Sequence, residues 1–132
     1  MASELPTILL IESDPTLAEI TAFRLELRGY RVVRAESAQD AFARLEGELP
    51  QAILLDTQVA GADGFEIANQ LSNNERTSRI PLMVLSSKAD LKDVERAYAA
   101  GAKDYLVTPY SPAVLESKLE RLVHHGDTEA RR

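Results

Sequence analysis

The chain has 132 residues, 45% hydrophobic and 27% charged, and this length fits one domain with one buried core. A net charge of −6 without a basic run argues against a general phosphate-backbone binder, so direct nucleic-acid binding is not expected. The lack of cysteine excludes disulfides and thiol chemistry. No apolar run approaches a membrane span and no signal peptide is recognisable, so we expect a cytoplasmic protein.

Five short runs rich in Val, Ile and Leu predict β-strands at 8–11, 31–34, 52–55, 82–85 and 105–107. The segments between them have the apolar spacing of amphipathic helices. Three stripes are expected to face the core: Leu17, Ile20, Phe23 and Leu27; Leu91, Val94 and Tyr98; and Val114, Leu115, Leu119 and Leu122.

Helix boundaries carry their own signals. Asp14 and Ser111 each precede a proline, which predicts an N-cap followed by the first helical residue, and Gly29, Gly47 and Gly101 lie where helices should end. Strands that alternate with helices and are apolar on both faces predict a doubly wound α/β fold, (βα)5, with a five-stranded parallel sheet. The flavodoxin-like strand order 2-1-3-4-5 is expected. The domain is assigned to 1–124, and 125–132 to a polar tail or the start of a linker.

Two acids follow neighbouring strands of this predicted sheet. With the order 2-1-3-4-5, Glu12 after the first strand and Asp56 after the third lie at the edge where the binding crevice opens. Two close carboxylates repel unless a cation, a lysine or a proton lies between them, and Mg²⁺ is the natural hard cation. The alternative is that acids at strand ends are solvated loop residues or helix caps, as predicted for Asp14.

Several segments occur together in the order found in one known family. They are Leu-Leu-Asp at 54–56, Gly-Ala-Asp-Gly-Phe-Glu at 61–66, Leu-Ser-Ser at 85–87, and Ala-Gly-Ala-Lys-Asp-Tyr-Leu at 100–106 followed by Pro-Tyr at 109–110. With these segments the chain resembles receiver domains of two-component response regulators, over about residues 7–123.

The resemblance implies a role for each matching residue. Asp56 would be the phosphoacceptor, Ser86 the switch hydroxyl and Tyr105 the switch aromatic, while Glu12, Asp56 and the backbone carbonyl of Gln58 would bind Mg²⁺. The partners implied are a sensor histidine kinase or phosphotransfer protein and a downstream effector. The effector would dock on the face of the fourth helix, fifth strand and fifth helix, where a homodimer is a further option. The only catalysis implied is self-catalysed phosphorylation of Asp56 and its hydrolysis.

Two positions depart from the family pattern. Ser13 stands where the family has an aspartate that binds the metal directly, and Thr108 stands where it has a lysine beside the phosphoacceptor. Loss of these groups weakens the expected binding of Mg²⁺ and of the added negative charge of a phosphoryl group. Two hypotheses therefore remain: a receiver phosphorylated on Asp56, and a phosphorylation-independent pseudo-receiver that acts as a protein-interaction module.

Other α/β classes fit the sequence less well. A flavodoxin would have a hydroxyl-rich phosphate loop after the first strand, where this chain has Glu-Ser-Asp-Pro. A dinucleotide enzyme would have Gly-x-Gly-x-x-Gly there. An aspartate-nucleophile phosphatase would have a second acid at the position of Gln58.

Overall fold

The computed structural model describes residues 5–130, with side chains described through His124. Five strands form the main sheet: β1 (Thr7–Ile11), β2 (Arg31–Ala35), β3 (Ala52–Asp56), β4 (Leu82–Ser86) and β5 (Asp104–Val107). The helices are α1 (Pro15–Leu27), α2 (Ala38–Leu45), α3 (Gly64–Ser72), α4 (Leu91–Ala99) and α5 (Pro112–Ala130). All strand pairs in this sheet are parallel and the order is β2-β1-β3-β4-β5, which confirms the predicted topology.

The strand register places the ends of β1, β3 and β4 at one edge of the sheet. Ile11 pairs with Leu55, Asp56 pairs with Leu85, and Ser86 pairs with Val107. The residues that follow these strands therefore meet in one crevice. Ligands of open α/β sheets bind in a crevice at this position.

Alternating side chains of the central strands build a hydrophobic layer on each face of the sheet. On one face, Leu9, Ile53 and Leu55 pack with residues of α2, α3 and α4. On the other face, Leu10 and Leu54 pack with residues of α1 and α5. Both layers are needed because a parallel sheet is apolar on both sides.

The predicted core-facing stripe of α1 is wrong. Ile20, Phe23 and Leu27 are 54%, 58% and 63% exposed, and the buried side chains of this helix are Ala18, Thr21, Ala22 and Leu25. The small side chains on the buried face let the helix backbone lie close to the sheet, so the large apolar residues point to solvent. Apolar periodicity finds a stripe of large residues, but it does not say whether that stripe faces the core.

The other two stripes are partly right. On α4, Leu91 and Tyr98 are exposed, Val94 is partly buried and Ala97 is the buried residue. On α5, Leu115, Leu119 and Leu122 are buried as predicted, whereas Val114 is 44% exposed. Short residues thus form the buried contact of α4, and leucines form that of α5.

The predicted helix boundaries agree with the observed caps. The Asp14 carboxylate accepts the N–H groups of Thr16 and Leu17, and the Ser111 hydroxyl accepts the N–H of Val114. Gly29 and Gly101 follow α1 and α4 with φ of +93° and +108°, a backbone region that favours glycine. α5 continues to Ala130, through most of the segment for which a polar tail or linker was predicted.

A two-stranded ribbon after β3 was not predicted. Gln58–Val59 pairs antiparallel with Ala62–Asp63, and Gly61 turns the chain between them with φ of +74°. Gly64 then begins α3 so close to the backbone of Asp56 and Thr57 that a Cβ atom would overlap it.

Within the described residues, no helix is long and apolar enough to cross a membrane.

Candidate phosphoacceptor site

Asp56 ends β3 at the mouth of the crevice, where its side chain is half-buried. One carboxylate oxygen, Oδ1, accepts the backbone N–H of Gln58 at 2.7 Å. This local bond starts the ribbon and holds the carboxylate at the crevice. The structure therefore places the predicted phosphoacceptor at the edge shared by β1, β3 and β4.

Glu12 follows β1 and is only 4% exposed. Its Oε2 accepts the N–H of Asp14 at 3.1 Å, and its Oε1 has no hydrogen-bond partner among the described residues. The pKa of Glu12 is raised from 4.5 to about 8, chiefly by burial and in addition by the neighbouring carboxyl group of Asp56. The structure thus brings the two predicted acids together, in a pocket that needs a proton or a cation between them.

The oxygens around this pair fit a magnesium ion with few protein ligands. The Gln58 carbonyl, predicted to face the metal, accepts the Ser13 hydroxyl at 3.4 Å and so lies on the Glu12 side of the crevice. Among the described residues, no three acids or histidines are grouped as a metal site. Two carboxylates and one carbonyl are nevertheless the oxygen donors that Mg²⁺ prefers, and this ion commonly keeps several waters.

Ser86 ends β4 and is 3% exposed. Its hydroxyl accepts the backbone N–H of Lys88 at 3.1 Å and the hydroxyl of Thr57 at 3.4 Å. Because Thr57 directly follows Asp56, the Ser86 hydroxyl lies beside the end of β3. The predicted switch hydroxyl is therefore buried next to the predicted acceptor.

Tyr105 lies on β5 with its ring turned inward, and it is 7% exposed. Its hydroxyl donates to the carbonyl of Lys88 at 2.8 Å. Burial raises the pKa of the Tyr105 phenol, and the carboxylates of Asp93 and Asp90 add to this effect. The backbone of Lys88 thus links Ser86, through its N–H, to Tyr105, through its carbonyl.

Thr108 follows β5, and its backbone N–H donates to the carbonyl of Ser86 at 2.7 Å. No charged group accompanies this contact, because threonine is neutral. Two positions later, the Tyr110 hydroxyl forms a hydrogen bond with buried Thr21. Burial raises the pKa of the Tyr110 phenol, and the charge of the Glu12 carboxylate adds to this effect.

Asp63 has two structural contacts. Its carboxylate caps α3 by accepting the N–H of Phe65 at 3.0 Å, and it also pairs with the Arg96 guanidinium at 2.8 Å. The guanidinium lies 4.3 Å from the centre of the Phe65 ring. This cluster joins α4 to the start of α3 beside the crevice.

Sequence reasoning missed three residues of the site: Thr57, Lys88 and Tyr110. Thr57 was identifiable, since it follows the acceptor directly. Lys88 lies in a loop whose path depends on contacts from β4 and β5, and the contact of Tyr110 reaches a helix 89 residues away in the chain. Lys88 had no sequence signal, and Tyr110 belonged to the Pro-Tyr segment of the family resemblance, but nothing local indicated its contact with Thr21.

The family described as response regulator receiver domain matches residues 8–120. The chain belongs to this family. The receiver domain is 34% identical to the phosphate regulon transcriptional regulatory protein PhoB of Pseudomonas aeruginosa, over 94% of this chain and 56% of that protein. It is 32% identical to the transcriptional regulatory protein AfsQ1 of Streptomyces coelicolor, over 96% of this chain and 55% of that protein. The chain thus spans about half the length of these curated relatives.

Solved receiver domains have the same fold. The receiver domain of sensor histidine kinase PA1611 from Pseudomonas aeruginosa, with a magnesium ion coordinated in its active-site cleft, is 29% identical with a TM-score of 0.84. That match covers 92% of this chain and 99% of the other. The receiver domain of a signal transduction histidine kinase from Syntrophus aciditrophicus is also 29% identical with a TM-score of 0.84, over 91% of each chain.

Proposed function

We propose that this receiver domain accepts a phosphoryl group on the Asp56 carboxylate and signals through the face formed by α4, β5 and α5. The observation that carries the proposal is the link from Ser86 through the backbone of Lys88 to Tyr105. If the Ser86 hydroxyl turned to bond a phosphoryl oxygen, it would release the N–H of Lys88. Phosphorylation of Asp56 would thereby change the contacts of Tyr105 at the signalling face.

The reaction transfers a phosphoryl group from a nitrogen or oxygen atom of the donor to a carboxylate oxygen of Asp56. A carboxylate oxygen of Asp56 forms a bond to phosphorus while the bond between phosphorus and the donor atom breaks, leaving an acyl phosphate on Asp56. Mg²⁺, when bound by Glu12, Asp56 and the Gln58 carbonyl, would neutralise charge on the transferring group. The buried Glu12 and the Ser86 hydroxyl would orient that group within the crevice.

The signalling face has exposed apolar side chains available for a partner. Leu91, Tyr98, Val107 and Val114 are between 38% and 69% exposed. They belong to α4, β5 and α5, which also surround Tyr105. A downstream effector, or a second copy of the chain, would cover these side chains. Direct nucleic-acid binding is not proposed for this acidic domain, although PhoB and AfsQ1 are transcriptional regulatory proteins.

A phosphodonor would fit the exposed stripe of α1. Ile20, Phe23 and Leu27 point away from the sheet, and α1 begins at the crevice, directly after Glu12, Ser13 and the Asp14 cap. A helix of a sensor kinase or phosphotransfer protein lying on this stripe would carry its phosphohistidine to Asp56. We expect Phe23→Ala to slow transfer from a phosphorylated phosphotransfer protein and to leave phosphorylation by acetyl phosphate unchanged.

Phosphorylation is tested with acetyl phosphate and Mg²⁺, by intact-protein mass spectrometry. We expect the mass of one phosphoryl group on the wild-type chain and none on Asp56→Asn, which keeps the shape of the side chain but removes the nucleophile. Absence of the added mass at a millimolar concentration of acetyl phosphate would contradict the proposal.

The second candidate is a phosphorylation-independent interaction module. It is favoured by Ser13 and Thr108, which remove one metal ligand and one fixed cation from the family's site. In that case the wild-type chain would acquire no acyl phosphate, and the same signalling face would bind its partner equally well in wild type and in Asp56→Asn.

A further inference from the structure

The pocket lacks a cation at Thr108, but a different lysine lies at its edge. Of the four lysines in the chain, Lys118 is paired with Asp104 at 2.9 Å, and Lys103 precedes β5 at the opposite edge of the sheet. Lys92 lies in the first turn of α4. Lys88 follows β4 by two residues, at the same edge as Asp56.

The backbone of Lys88 is held next to the predicted phosphoryl position. Its N–H lies 3.1 Å from the Ser86 hydroxyl, and its carbonyl accepts the Tyr105 hydroxyl at 2.8 Å. Lys88 also lines a pocket of about 340 Å³ together with Thr57 and Gln58, the two residues that follow Asp56. A lysine side chain extends roughly 6 Å from its Cα atom, which is enough to reach across such a pocket.

The arginine that lines this pocket is already paired. Arg96 is paired with Asp63 at 2.8 Å and its guanidinium lies over the Phe65 ring, so these contacts already engage its charge. In the described part of the chain the Lys88 ammonium takes part in no ion pair, although Asp93 lines the same pocket.

A second cation at this edge lies too far along the sheet. Arg34 near the end of β2 donates to the carbonyl of Pro15. β2 is separated from β3 by β1, which puts it two strand spacings, roughly 9–10 Å, from the strand that carries Asp56. Lys88 follows β4, the direct neighbour of β3.

We propose that Lys88 supplies the cation of the phosphoryl site in place of the lysine that Thr108 lacks. The inference rests on the proposed phosphorylation of Asp56. As the bond from Asp56 to phosphorus forms and the donor bond breaks, the ammonium of Lys88 donates a hydrogen bond to a phosphoryl oxygen. The ammonium keeps its proton throughout, so the step transfers only the phosphoryl group.

The test compares Lys88→Met with Lys103→Met, a matched loss of a lysine at the opposite edge. Two quantities are measured: the rate of Asp56 phosphorylation by acetyl phosphate, and the affinity for beryllofluoride with Mg²⁺, followed by tyrosine fluorescence. We expect Lys88→Met to lower both about tenfold, because a charge-assisted contact at a partly exposed site is lost. Lys103→Met should leave both unchanged, and Lys88→Arg should retain most of each.

The decisive comparison uses Thr108→Lys. With a lysine restored at this position, the further change Lys88→Met should alter the rate and affinity by less than about twofold, because the two cations serve the same oxygen atoms. Thermal unfolding of each variant establishes that it folds.

Two outcomes contradict the proposal in distinguishable ways. If Lys88→Met matches wild type in both measurements, Lys88 is not the cation, and phosphorylation of Asp56 still stands. If neither wild type nor Thr108→Lys is phosphorylated or binds beryllofluoride, the proposed function fails and the role of Lys88 fails with it.

Discussion

Among the single residues, Glu12 and Asp56 define what the pocket requires. Their proximity followed from the predicted strand order, because the carboxyl ends of neighbouring parallel strands meet at one edge. The burial of Glu12 and its raised pKa depended on packing that the sequence does not display. A buried carboxyl group with one unbonded oxygen makes this pocket sensitive to protons and to metal.

The stability of the protein without Mg²⁺ should fall as the pH rises from about 5 to 8. Burial and the neighbouring Asp56 carboxyl raise the pKa of Glu12 from 4.5 to about 8, so in this range the folded protein keeps a proton that the unfolded chain has released. The free energy of unfolding should therefore decrease over this pH range by on the order of 2 kcal/mol. Urea unfolding in EDTA at several pH values measures the effect. If the free energy of unfolding depended on pH equally in wild type and in Glu12→Gln, the prediction would be contradicted.

Ser13→Asp should restore a metal ligand at the cost of apo stability. A third carboxylate beside Glu12 and Asp56 increases repulsion in EDTA, so the melting temperature should drop. With Mg²⁺ the same carboxylate coordinates the ion, and affinity should rise about tenfold. Calorimetric titration and thermal melts with and without Mg²⁺ measure both effects. Ser87→Asp is the control, because Ser87 is exposed after β4, and an equal gain there would refute the role of position 13.

Among the secondary-structure elements, α1 shows the limit of apolar periodicity. The stripe of large residues predicted to be buried is exposed, and small residues with Leu25 form the contact with the sheet. Helix existence and boundaries were predictable, because Asp14, Pro15 and Gly29 act locally. Orientation about the helix axis was not, since it depends on how closely each face can approach the sheet.

The orientation of α1 predicts opposite results for two substitutions. Leu25→Ala should lower the free energy of unfolding by about 2–5 kcal/mol, because Leu25 is fully buried and its loss leaves a cavity. Phe23→Ala should change it by less than about 0.5 kcal/mol, because Phe23 is 58% exposed. Chemical denaturation measures both, and a larger loss at Phe23 than at Leu25 would show that the helix faces the other way.

At the scale of the whole molecule, two hydrophobic layers share one sheet. Leu9 and Leu54 are both buried, on opposite faces, and each lies on a strand that serves both layers. If the helices of one layer unfolded, the strands that also support the other layer would lose packing and become exposed to water. The layers should therefore unfold together.

Unfolding in urea should be a single transition whichever layer is weakened. Leu9→Ala and Leu54→Ala should each lower the urea concentration at the unfolding midpoint, and each variant should still show one transition, as expected for a two-state domain. Far-ultraviolet circular dichroism and tyrosine fluorescence should give coincident curves, because Tyr105 packs in one layer and Tyr110 against the other. Separate midpoints for the two probes would contradict this cooperativity.

The sequence by itself determined the five strands and several helix ends, because apolar runs, capping side chains and glycines act over a few residues. The strand order was expected by analogy with flavodoxin-like folds. It also placed Glu12 and Asp56 at one edge, and the resemblance to receiver domains assigned Ser86 to the same site and identified Ser13 and Thr108 as departures from the family pattern. Only the tertiary structure decided which face of α1 is buried. Only the tertiary structure joined the carbonyl of Lys88 to the hydroxyl of Tyr105, and brought Arg76 to the carbonyls of 45–47 at the end of α2. Those contacts connect segments far apart in the chain, so no local pattern encodes them.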